Sequence, residues 1–578
     1  MTKRLSLLMV LTMAVVLVLS ACGEGGKNGG DNAAATGSPT KDAASSAGSK
    51  DEPVNPLGKY DPPIEVSTVK IFQEVEKFYN NETANNSIWS QGELNELGIK
   101  IKLLWSVIGA SPGGPGEQKM NVTIASNDLP DIFQVNGKQL QLLVESGQVE
   151  DLTEVIHKYA SPKMKKALAI NNGQPLDIAS FDGKVMALPV PRGNEDAYMI
   201  WVRKDWLDRL GLPEPQTMDD VQKIAEAFTK QDPDNNSKND TYGIGLTKDL
   251  YTGGIHDLAG LFEGYHAYVN KWVKDDAGKL VYGGIQPEAK AALGTIKKMF
   301  ESGWIDPEFG VKDAAKVSEM LVSGKLGMFY GMHWVPFWPL PDSVKADPKA
   351  DWQPYQIVSA DDKPAVPSVS MAVDTNGASF YVVRKGFQHP EAVVKLANYT
   401  LEKFYGFDTG MYDKNFINVY NEDGTIMEGG FKRHPLAAVV FQSPTQNFDI
   451  YEGVKAALEG NQDALKDLNV KTNYDGIKAY QEKKDIANYS AMKWVGPTGS
   501  SFATLSSYKE TTTDQYTGPV TPTMAQRKST LDKLQLETYT KIIVGGATLD
   551  AFDKFVEDWK KLGGDAITQE VNDWLSTK

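Results

Sequence analysis

The sequence predicts an α/β fold in which two lobes are joined by several chain crossings. Strand-like and helix-like segments alternate in the early part of the chain, which is typical of α/β sheets. The chain has 578 residues, a length that allows two or three domains. No internal repeat and no long low-complexity linker follows residue 63. Interwoven lobes fit this pattern better than domains placed one after another.

The first segments after residue 63 show the alternation. Residues 66–72 and 99–105 have the apolar pattern of strands, and residues 129–133 read as a short buried strand. Residues 118–125 and 139–146 have helical periodicity. The repeated order of strand and helix favours a largely parallel sheet.

Later helices are marked by their ends and by their apolar stripes. A helix before Gly211 stops at that glycine, and Thr217 and Asp220 have the spacing of a capping box at the start of the next helix. Residues 552–559 carry apolar side chains at i, i+3, i+4 and i+7, which is the pattern of a helix that packs on a core.

The first 21 residues have the anatomy of a secretory signal. Two basic residues precede an apolar stretch at residues 7–19, which is shorter than the roughly 20 residues of a membrane span. Small residues then lead to Cys22. We therefore expect residues 1–21 to be a signal peptide that is removed on export.

Cys22 is the only cysteine in the chain. A lone thiol in an exported protein needs an explanation, and a cysteine at the cleavage point resembles the bacterial lipobox, in which the thiol carries diacylglycerol. An ordinary signal that happens to contain a cysteine is the alternative. A single cysteine also excludes a disulfide framework and a Cys-based zinc or iron–sulfur site.

Residues 22–62 hold almost no large apolar side chains, so we expect a lipidated cysteine followed by a flexible tether. The tether would hold the body at the outer face of the cell membrane, with the lipid as its membrane contact. The chain carries 60 Lys and Arg against 75 Asp and Glu, a net charge of −15. Such an acidic surface repels nucleic acid and anionic lipid, so no nucleic-acid partner is expected.

Several phrases, taken in chain order, resemble the extracellular solute-binding protein family that serves sugar importers. Each phrase alone is weak, and their order is what makes the resemblance specific. The phrases are residues 126–132 (SNDLPDI), 182–189 (DGKVMALP) running into 201–207 (WVRKDWL), 319–329 (EMLVSGKLGMF), 518–524 (GPVTPTM) and the helical region 552–574.

The resemblance implies a two-lobed, periplasmic-binding-protein-like fold of type II, with a ligand cleft between the lobes and a hinge that closes on the ligand. By analogy we expect the first lobe at residues 63–193 and 371–515, and the second at residues 194–370 and 516–578. The resemblance also implies a carbohydrate ligand, in particular an oligosaccharide, and ABC permease subunits as partners. The expected protein is a monomer and not an enzyme.

Residues 231–243 (QDPDNNSKNDTYG) place an oxygen-bearing side chain at every second position, as calcium loops do. The loop departs from an EF-hand, because Ser237 replaces the usual glycine and Gly243 replaces the bidentate glutamate. It is similar to the calcium loop of alginate-oligosaccharide-binding members of the family, which have an acidic residue at the place of Thr241. A surface turn rich in Asp and Asn is the alternative. The candidate ligands of a structural Ca²⁺ are Asp232, Asp234, Asn236, Lys238 through its carbonyl, Asp240 and Thr241.

Aromatic residues cluster at residues 331–338 (GMHWVPFW). Sugar rings offer apolar faces to aromatic side chains and hydroxyl groups to polar ones. The resemblance aligns Trp334 with the tryptophan that stacks on sugar in the family, while His333 has the more common reading of a structural histidine. The other candidate ligand residues, each weighed against a core or ion-pair role, are Trp338, Trp494, Trp201, Asp131 and Arg192.

Two other functions remain open. A secreted glycoside hydrolase needs two carboxylates beside one bond, and 75 acidic residues supply such pairs by chance. The sequence has no H-E-x-x-H or P-loop motif. A peptide or other solute receptor, or a surface adhesin on the same scaffold, would bind its ligand more through backbone hydrogen bonds than through stacked tryptophans.

Overall fold

The structure is a computed structural model. The signal peptide, Cys22 and most of the predicted tether lie outside the residues that it describes. Within them, no helix combines the length and the apolar character needed to cross a membrane. The described residues are 54–74, 76–110, 113–370, 373, 379–422, 427, 431–518 and 520–577.

The end of the predicted tether differs from the expectation. Leu57 and Tyr60 pack against the core of the first lobe, and the Tyr60 hydroxyl donates to a Glu391 carboxylate oxygen at 2.6 Å. These are the first large apolar side chains near the body, so they bury surface that the preceding small and polar residues cannot. The ordered body therefore begins before residue 62.

The strands share an apolar, β-branched or aromatic composition and are mostly short. They are β1 (Ile64–Phe72), β2 (Ile99–Ile108), β3 (Ile132–Val135), β4 (Ser180–Phe181), β5 (Lys184–Val185), β6 (Leu188–Pro189), β7 (Met199–Arg203), β8 (Ile255–Asp257), β9 (Trp272–Lys274), β10 (Leu280–Tyr282), β11 (Met328–Gly331), β12 (Trp352–Gln356) and β13 (Phe380–Val383).

The helices surround the sheets. They are α1 (Ile88–Leu97), α2 (Pro115–Ala125), α3 (Gly137–Glu145), α4 (Thr153–Tyr159), α5 (Pro162–Leu168), α6 (Ile170–Ile178), α7 (Lys204–Leu210), α8 (Met218–Lys230), α9 (Ala259–Gly264), α10 (Pro287–Glu301), α11 (Ala314–Val322), α12 (Leu340–Ala346), α13 (Ala392–Tyr405), α14 (Gln446–Leu458), α15 (Leu468–Lys483), α16 (Tyr489–Val495), α17 (Ser501–Leu505), α18 (Pro522–Ile543), α19 (Ala551–Trp559) and α20 (Asp565–Leu575). The predicted capping box is confirmed at α8, where Thr217 and Asp220 bond reciprocally.

The first lobe contains a parallel pair, β1 with β2, and a three-stranded sheet in the order β3-β13-β6. Strand β13 runs antiparallel to both of its neighbours. Successive residues of β13 alternate between two cores, as side chains on a pleated strand must. Tyr381 and Val383 enter one core and Phe380 and Val382 the other.

The second lobe is built on a four-stranded sheet in the order β12-β7-β11-β8. All of its pairings are antiparallel, so the expectation of a largely parallel sheet is wrong for this lobe. Both faces are nevertheless covered, because Ile200 and Val202 of β7 enter one core while Met199 and Trp201 enter another. An antiparallel sheet buried on both faces needs apolar residues at every position, which is why the sequence pattern resembled that of parallel strands.

The lobe boundary expected near residue 515 also differs from the structure. Helices α14 to α17 pack against the second-lobe sheet, with Val454 and Phe502 in the same core as Trp201 and Trp352. They do not enter the two first-lobe cores. The chain therefore changes lobes close to residues 441–446.

Two of the chain crossings touch each other. The first crossing, residues 190–196, joins β6 to β7. The second leads from β12 back to β13, and the third, residues 441–446, leads into α14. At Gly193 an added Cβ would lie 2.0 Å from the Pro444 carbonyl oxygen. Only glycine allows the backbones to approach this closely.

Candidate ligand-binding site

The second-lobe sheet presents one edge to the crossings. In its register Met199 faces both Gly331 and Gln356, and Gly331 faces Ile255. Because Met199 follows the first crossing directly, the segments next to these partners lie at the same edge. We call this the cleft edge, and the loop after Gly331 starts there.

Four aromatic side chains form a surface at the cleft edge that we call the aromatic wall: Trp334, Phe337, Trp338 and Trp494. The rings of Trp334 and Trp338 stack with centroids 6.4 Å apart and planes 15° from parallel. Phe337 meets Trp494 edge-on at 5.1 Å. Phe337 and Trp338 are 53% and 39% exposed, so the wall leaves apolar ring surface in contact with solvent. The structure thus stacks two of the predicted tryptophans, Trp334 and Trp338, and places the third, Trp494, against Phe337.

His333 links the aromatic wall to two acidic residues of the first crossing. The Trp494 Nε1–H donates to His333 Nδ1 at 3.4 Å. On its other side, His333 Nε2 lies 3.9 Å from a carboxylate oxygen of Glu195 and 3.9 Å from one of Asp196. Burial lowers the pKa of His333 to about 4. The imidazole is therefore neutral near pH 7. Because its Nδ1 accepts from Trp494, its proton lies on Nε2, which faces the two carboxylates.

Within the described part of the chain, Glu195 accepts one side-chain hydrogen bond. Asn447, in the first turn of α14, donates to its Oε2 at 2.8 Å. Burial raises the pKa of Glu195 to about 7, with a further increase from Asp196, while Asn447 and Arg192 act in the opposite sense. Asp196 accepts from Ser370 at 2.8 Å. Arg192 is exposed on the same crossing, as expected for a residue beside the hinge.

Two predicted ligand residues lie elsewhere. Trp201 is fully buried in β7 and stacks against Phe329 in the second-lobe core, because both faces of that sheet are covered. Asp131 precedes β3 at the end opposite the crossings, since Val135 pairs with Phe380 at the crossing end. A four-residue strand separates it from that end by roughly 13 Å. Neither residue is part of the cleft edge.

Asp131 is instead a structural carboxylate. Ser67 donates to it through its backbone amide at 2.9 Å and its hydroxyl at 2.6 Å, and Arg384 donates to the other oxygen at 2.7 Å. Burial alone would raise the pKa of Asp131, but the bonds from Ser67 and then Arg384 lower it below its usual value. The group ties β1, β3 and the end of β13 together.

In the loop after α8, the side-chain amide of Asn236 contacts two other predicted calcium ligands. Asn236 Nδ2 donates to Asp234 at 2.7 Å and to Asp240 at 3.1 Å. The backbone amides of Asn236 and Ser237 donate to the two oxygens of Asp232, each at 3.0 Å. Oδ1 of Asp234 is buried and has no hydrogen-bond partner. Burial, then Asp232 and Asp240, raise the pKa of Asp234.

Clustered carboxylates are the chemistry that Ca²⁺ neutralises. Within the described part of the chain, however, no group of three or more Asp, Glu, His or Cys side chains is placed to hold a metal ion, and the Asn236 amide lies between Asp234 and Asp240. Thr241 does not fit. It is buried, and its hydroxyl donates to the Phe228 carbonyl of α8 at 2.7 Å, so it anchors the loop to the helix. The Lys238 backbone amide donates to Asn236 Oδ1 at 2.7 Å, which constrains the loop at that position.

The sequence reasoning missed three residues of the site: Glu195, Asp196 and Asn447. For the first two a signal existed, since an acidic pair stood within the predicted crossing. Asn447 meets Glu195 from 252 positions away, and no local pattern identifies such a partner.

Comparison with known proteins gives the family. Residues 86–403 match the profile of the bacterial extracellular solute-binding protein family. Because this match spans more than half of the 578 residues, the chain belongs to that family.

Three relatives place the chain more closely. It is similar to Lipoprotein LipO of Bacillus subtilis strain 168, with 26% identity over 494 residues, 82% of this chain and 86% of LipO. It is also similar to the polygalacturonan/rhamnogalacturonan-binding protein YtcQ of the same strain, with 24% identity over 477 residues, 80% of this chain and 84% of YtcQ. The structure of the Streptococcus pneumoniae ABC-transporter substrate-binding protein FusA with kestose matches with a TM-score of 0.56 and 16% identity, over 89% of this chain and 100% of FusA. FusA has also been solved as an EF-hand mutant. The structural match confirms the two-lobed, type II periplasmic-binding fold.

Proposed function

We propose that the protein is the substrate-binding subunit of an ABC importer and that it captures an oligosaccharide in the cleft between its lobes. The observation that supports this most is the aromatic wall beside Glu195 and Asp196. Exposed rings match the apolar faces of sugars, and carboxylates accept hydrogen bonds from the hydroxyl rim. The names of YtcQ and FusA, which bind polysaccharide or fructooligosaccharide, point to the same ligand class.

Capture requires contacts from both lobes. A ligand shifts a hinge only by the difference between its affinities for the two arrangements. The aromatic wall belongs to the second lobe, while the acidic pair lies on the crossing itself. A sugar that contacts both the aromatic wall and the acidic pair would therefore stabilise one arrangement of the hinge. A permease could then recognise that arrangement.

Calorimetric titration with a panel of fructo-, galacto-, gluco- and galacturono-oligosaccharides tests the proposal. We expect at least one glycan to bind and Trp334→Ala to weaken it by about 2 kcal/mol, or about thirtyfold, as for a central aromatic contact. Trp334→Phe should retain most of the affinity. The bound glycan should be recovered intact, since a carboxylate pair could also serve hydrolysis. If peptides bind and no glycan does, the assignment is wrong.

We further propose that Cys22 carries the lipid that holds the protein at the outer face of the membrane. The support is the lipobox-like sequence and the similarity to a lipoprotein. Cys22→Ser should release the protein into the medium with its fold intact. Continued membrane attachment of that variant would contradict the proposal.

The loop at residues 232–240 is proposed to hold a structural Ca²⁺ through side-chain oxygens of Asp232, Asp234, Asn236 and Asp240. The ion would neutralise three carboxylates and stabilise the junction after α8. Titrating chelated protein with Ca²⁺ should release heat and raise the melting temperature. Asp234→Ala should remove both effects, whereas Thr241→Val should lower stability and leave calcium binding in place. An unchanged melting temperature after EGTA treatment sinks this proposal.

A further inference from the structure

A cavity of about 860 Å³ lies in the second lobe, at the end of its sheet that is far from the cleft edge. Asp351, which precedes β12, lines this cavity, whereas Gln356 at the other end of β12 pairs with Met199 at the cleft edge. Five residues of extended chain separate Asp351 from Gln356 by roughly 16 Å. We call this the distal cavity. Among the residues that the structure describes, none lines the distal cavity and also belongs to the aromatic wall.

The lining of the distal cavity is basic, although the chain has a net charge of −15. One carboxylate, that of Asp351, is among the described lining residues, and it is already engaged. Its Oδ1 accepts from the Lys493 ammonium at 3.2 Å and from the Gln353 amide at 2.7 Å. The lysines that line the cavity are Lys345, Lys349, Lys484 and Lys493.

Three of these lysines lack a counter-charge. In the described part of the chain, no carboxylate lies within ion-pair distance of Lys345, Lys349 or Lys484. Asp347, which is close to two of them in sequence, accepts from Arg203 at 2.8 Å instead. Like charges around one concave surface repel each other, and the low dielectric of its walls strengthens the field that attracts an anion. An anion bound among these lysines would remove the repulsion.

Two buried polar groups distinguish the distal cavity from a patch of exposed lysines. The Lys493 side chain is 9% exposed. Burial lowers the pKa of its ammonium, Asp351 acts in the opposite sense, and Lys484 lowers the pKa further. Tyr489 also lines the cavity, and its buried hydroxyl has no hydrogen-bond partner among the described residues. A buried hydroxyl without a partner costs free energy, and an anion would offer it an acceptor.

The backbone of Lys484 is a separate observation in favour of a ligand. Lys484 ends α15 in the left-handed region, at φ 52° and ψ 33°, where glycine or asparagine is the usual residue. The helix dipole does not require a lysine there, because Lys483 already places a positive charge in the last turn. Asp485, the next residue, accepts from the backbone amide of Ala487 at 3.1 Å. The chain thus keeps a strained lysine beside the distal cavity and gives it no carboxylate partner.

We propose that the distal cavity is a second ligand site, separate from the proposed sugar site, which binds a small soluble anion that carries two or more phosphate or carboxylate charges. Its volume is within the range of about 300–1,000 Å³ that is typical of ligand pockets. More than one charge is required because three lysines lack a counter-charge. The lysines come from α12, the loop before β12, the end of α15 and α16, so one bound anion contacts four segments and stabilises their packing.

Calorimetric titration of the full-length protein with pyrophosphate and with citrate tests this site. The protein is first treated with EGTA and the chelator is removed, so that chelation of Ca²⁺ contributes no heat. Lys349→Gln removes one lysine of the distal cavity, and Lys484→Gly removes another while it relieves the left-handed backbone. Lys478→Gln is the matched control, because Lys478 is exposed on α15 and does not line the cavity.

The wild type and the control should bind both anions, and binding should weaken as the salt concentration rises. Each cavity variant should bind about fivefold more weakly. Lys484→Gly should also raise the melting temperature in the absence of anion, which a lysine with a purely structural role would not allow. If Lys478→Gln weakens binding as much as the cavity variants do, diffuse surface charge explains the binding and the site is overturned.

Two further outcomes also overturn the site. One is a wild type that binds neither anion, and the other is attachment to phosphatidylglycerol vesicles without binding of either soluble anion. Glycan titrations of the same preparations should show unchanged affinity, because the distal cavity lies apart from the aromatic wall. Failure of the anion site is therefore distinguishable from failure of the proposed function.

Discussion

Asp131 lies just before a first-lobe strand and Glu195 lies on the first crossing, and the surroundings of these two acidic residues are opposite. Asp131, at the end away from the crossings, accepts hydrogen bonds from Ser67 and Arg384 on both of its oxygens. Glu195, on the first crossing, accepts from Asn447 on one oxygen and lies 3.9 Å from His333 on the other. Their pKa values move in opposite directions, that of Asp131 downward and that of Glu195 to about 7.

The difference separates structural from ligand-facing carboxylates. A saturated ion pair has no acceptor capacity left for a ligand, so it contributes to the fold alone. A partly buried carboxyl with spare lone pairs is costly to keep in the absence of ligand. Glu93 and Glu263 are similarly costly but are buried in the body of the protein, whereas Glu195 lies beside the aromatic wall, where a ligand can complete its hydrogen bonds. The tryptophans follow the same division, since Trp201 is fully buried while the aromatic wall remains accessible.

The largest expected effect is on stability, and it separates Asp131→Asn from Glu195→Gln, in which an amide of the same shape replaces each carboxylate. Asp131→Asn should lower the free energy of unfolding by about 2 kcal/mol, because the amide keeps one acceptor oxygen and leaves Arg384 without its counter-charge. Glu195→Gln should change stability by less than about 0.5 kcal/mol, since its carbonyl still accepts from Asn447. Urea unfolding at neutral pH measures both.

Ligand binding should show the reverse order. Asp131→Asn leaves glycan affinity unchanged, whereas Glu195→Gln weakens it by removing a charged acceptor. If Asp131→Asn alters affinity as much as Glu195→Gln does, the division between the two regions fails.

The pH dependence of stability should distinguish the two residues, because their contributions change in opposite directions as pH rises. A carboxyl whose pKa is raised on folding binds more protons in the folded state, so its contribution to stability falls as pH rises from its usual value of 4.5 through about 7. Between about pH 5.5 and pH 8, Glu195→Gln should therefore gain about 1–2 kcal/mol relative to the wild type. Subtracting the wild-type curve removes the contribution of other buried acids, such as Glu93 and Glu263, whose pKa values burial also raises to about 7.

Asp131 should behave in the opposite way. Its lowered pKa stabilises the fold above the usual value of 3.8 and that contribution is lost as pH falls through the folded value. The stability difference between wild type and Asp131→Asn should thus shrink only in acid. A difference between wild type and Glu195→Gln that stays constant from pH 5.5 to pH 8 would contradict the environment assigned to Glu195.

Local signals predicted part of this architecture well. The capping box at Thr217 and Asp220 needs four residues, and the aromatic cluster around Trp334 needs eight, so both can be read without knowing the fold. The family resemblance supplied the two-lobed arrangement. The resemblance misplaced the last lobe boundary, which it put at residue 515, because the apolar faces of α14 to α17 could pack on either lobe.

Contacts between distant residues could not be predicted. The sequence predicts Asp131 as a ligand residue because it lies in the loop at residues 126–132 and a carboxylate can accept from hydroxyls. Its partner Arg384 lies 253 residues away, where no local pattern reveals it. Asn447 is equally remote from Glu195. The prediction of parallel strands in the second lobe was wrong for a similar reason. Long segments separate β7, β8, β11 and β12, and local sequence patterns do not determine the relative direction of such strands.

Gly193→Ala tests whether the position of the first crossing determines the burial and hydrogen bonding of Glu195. Gly193→Ala places a Cβ 2.0 Å from the Pro444 carbonyl, so one crossing must move away from the other. Because the clashing atom belongs to the main chain, relief requires a backbone shift that should cost about 1–3 kcal/mol of stability. The same shift loosens the Glu195–Asn447 bond, and glycan affinity should fall severalfold. Denaturant unfolding and calorimetry on the same preparation measure the two effects.

Gly310→Ala is the matched control, since a Cβ at Gly310 meets no atom within 4 Å. It should leave stability and affinity unchanged. Asp131 lies at the other end of the sheet, so the acid-side stability curve of Gly193→Ala should follow that of the wild type. A Gly193→Ala variant that loses stability yet binds glycan with full affinity would place the control of Glu195 elsewhere than in the contact between the first and third crossings.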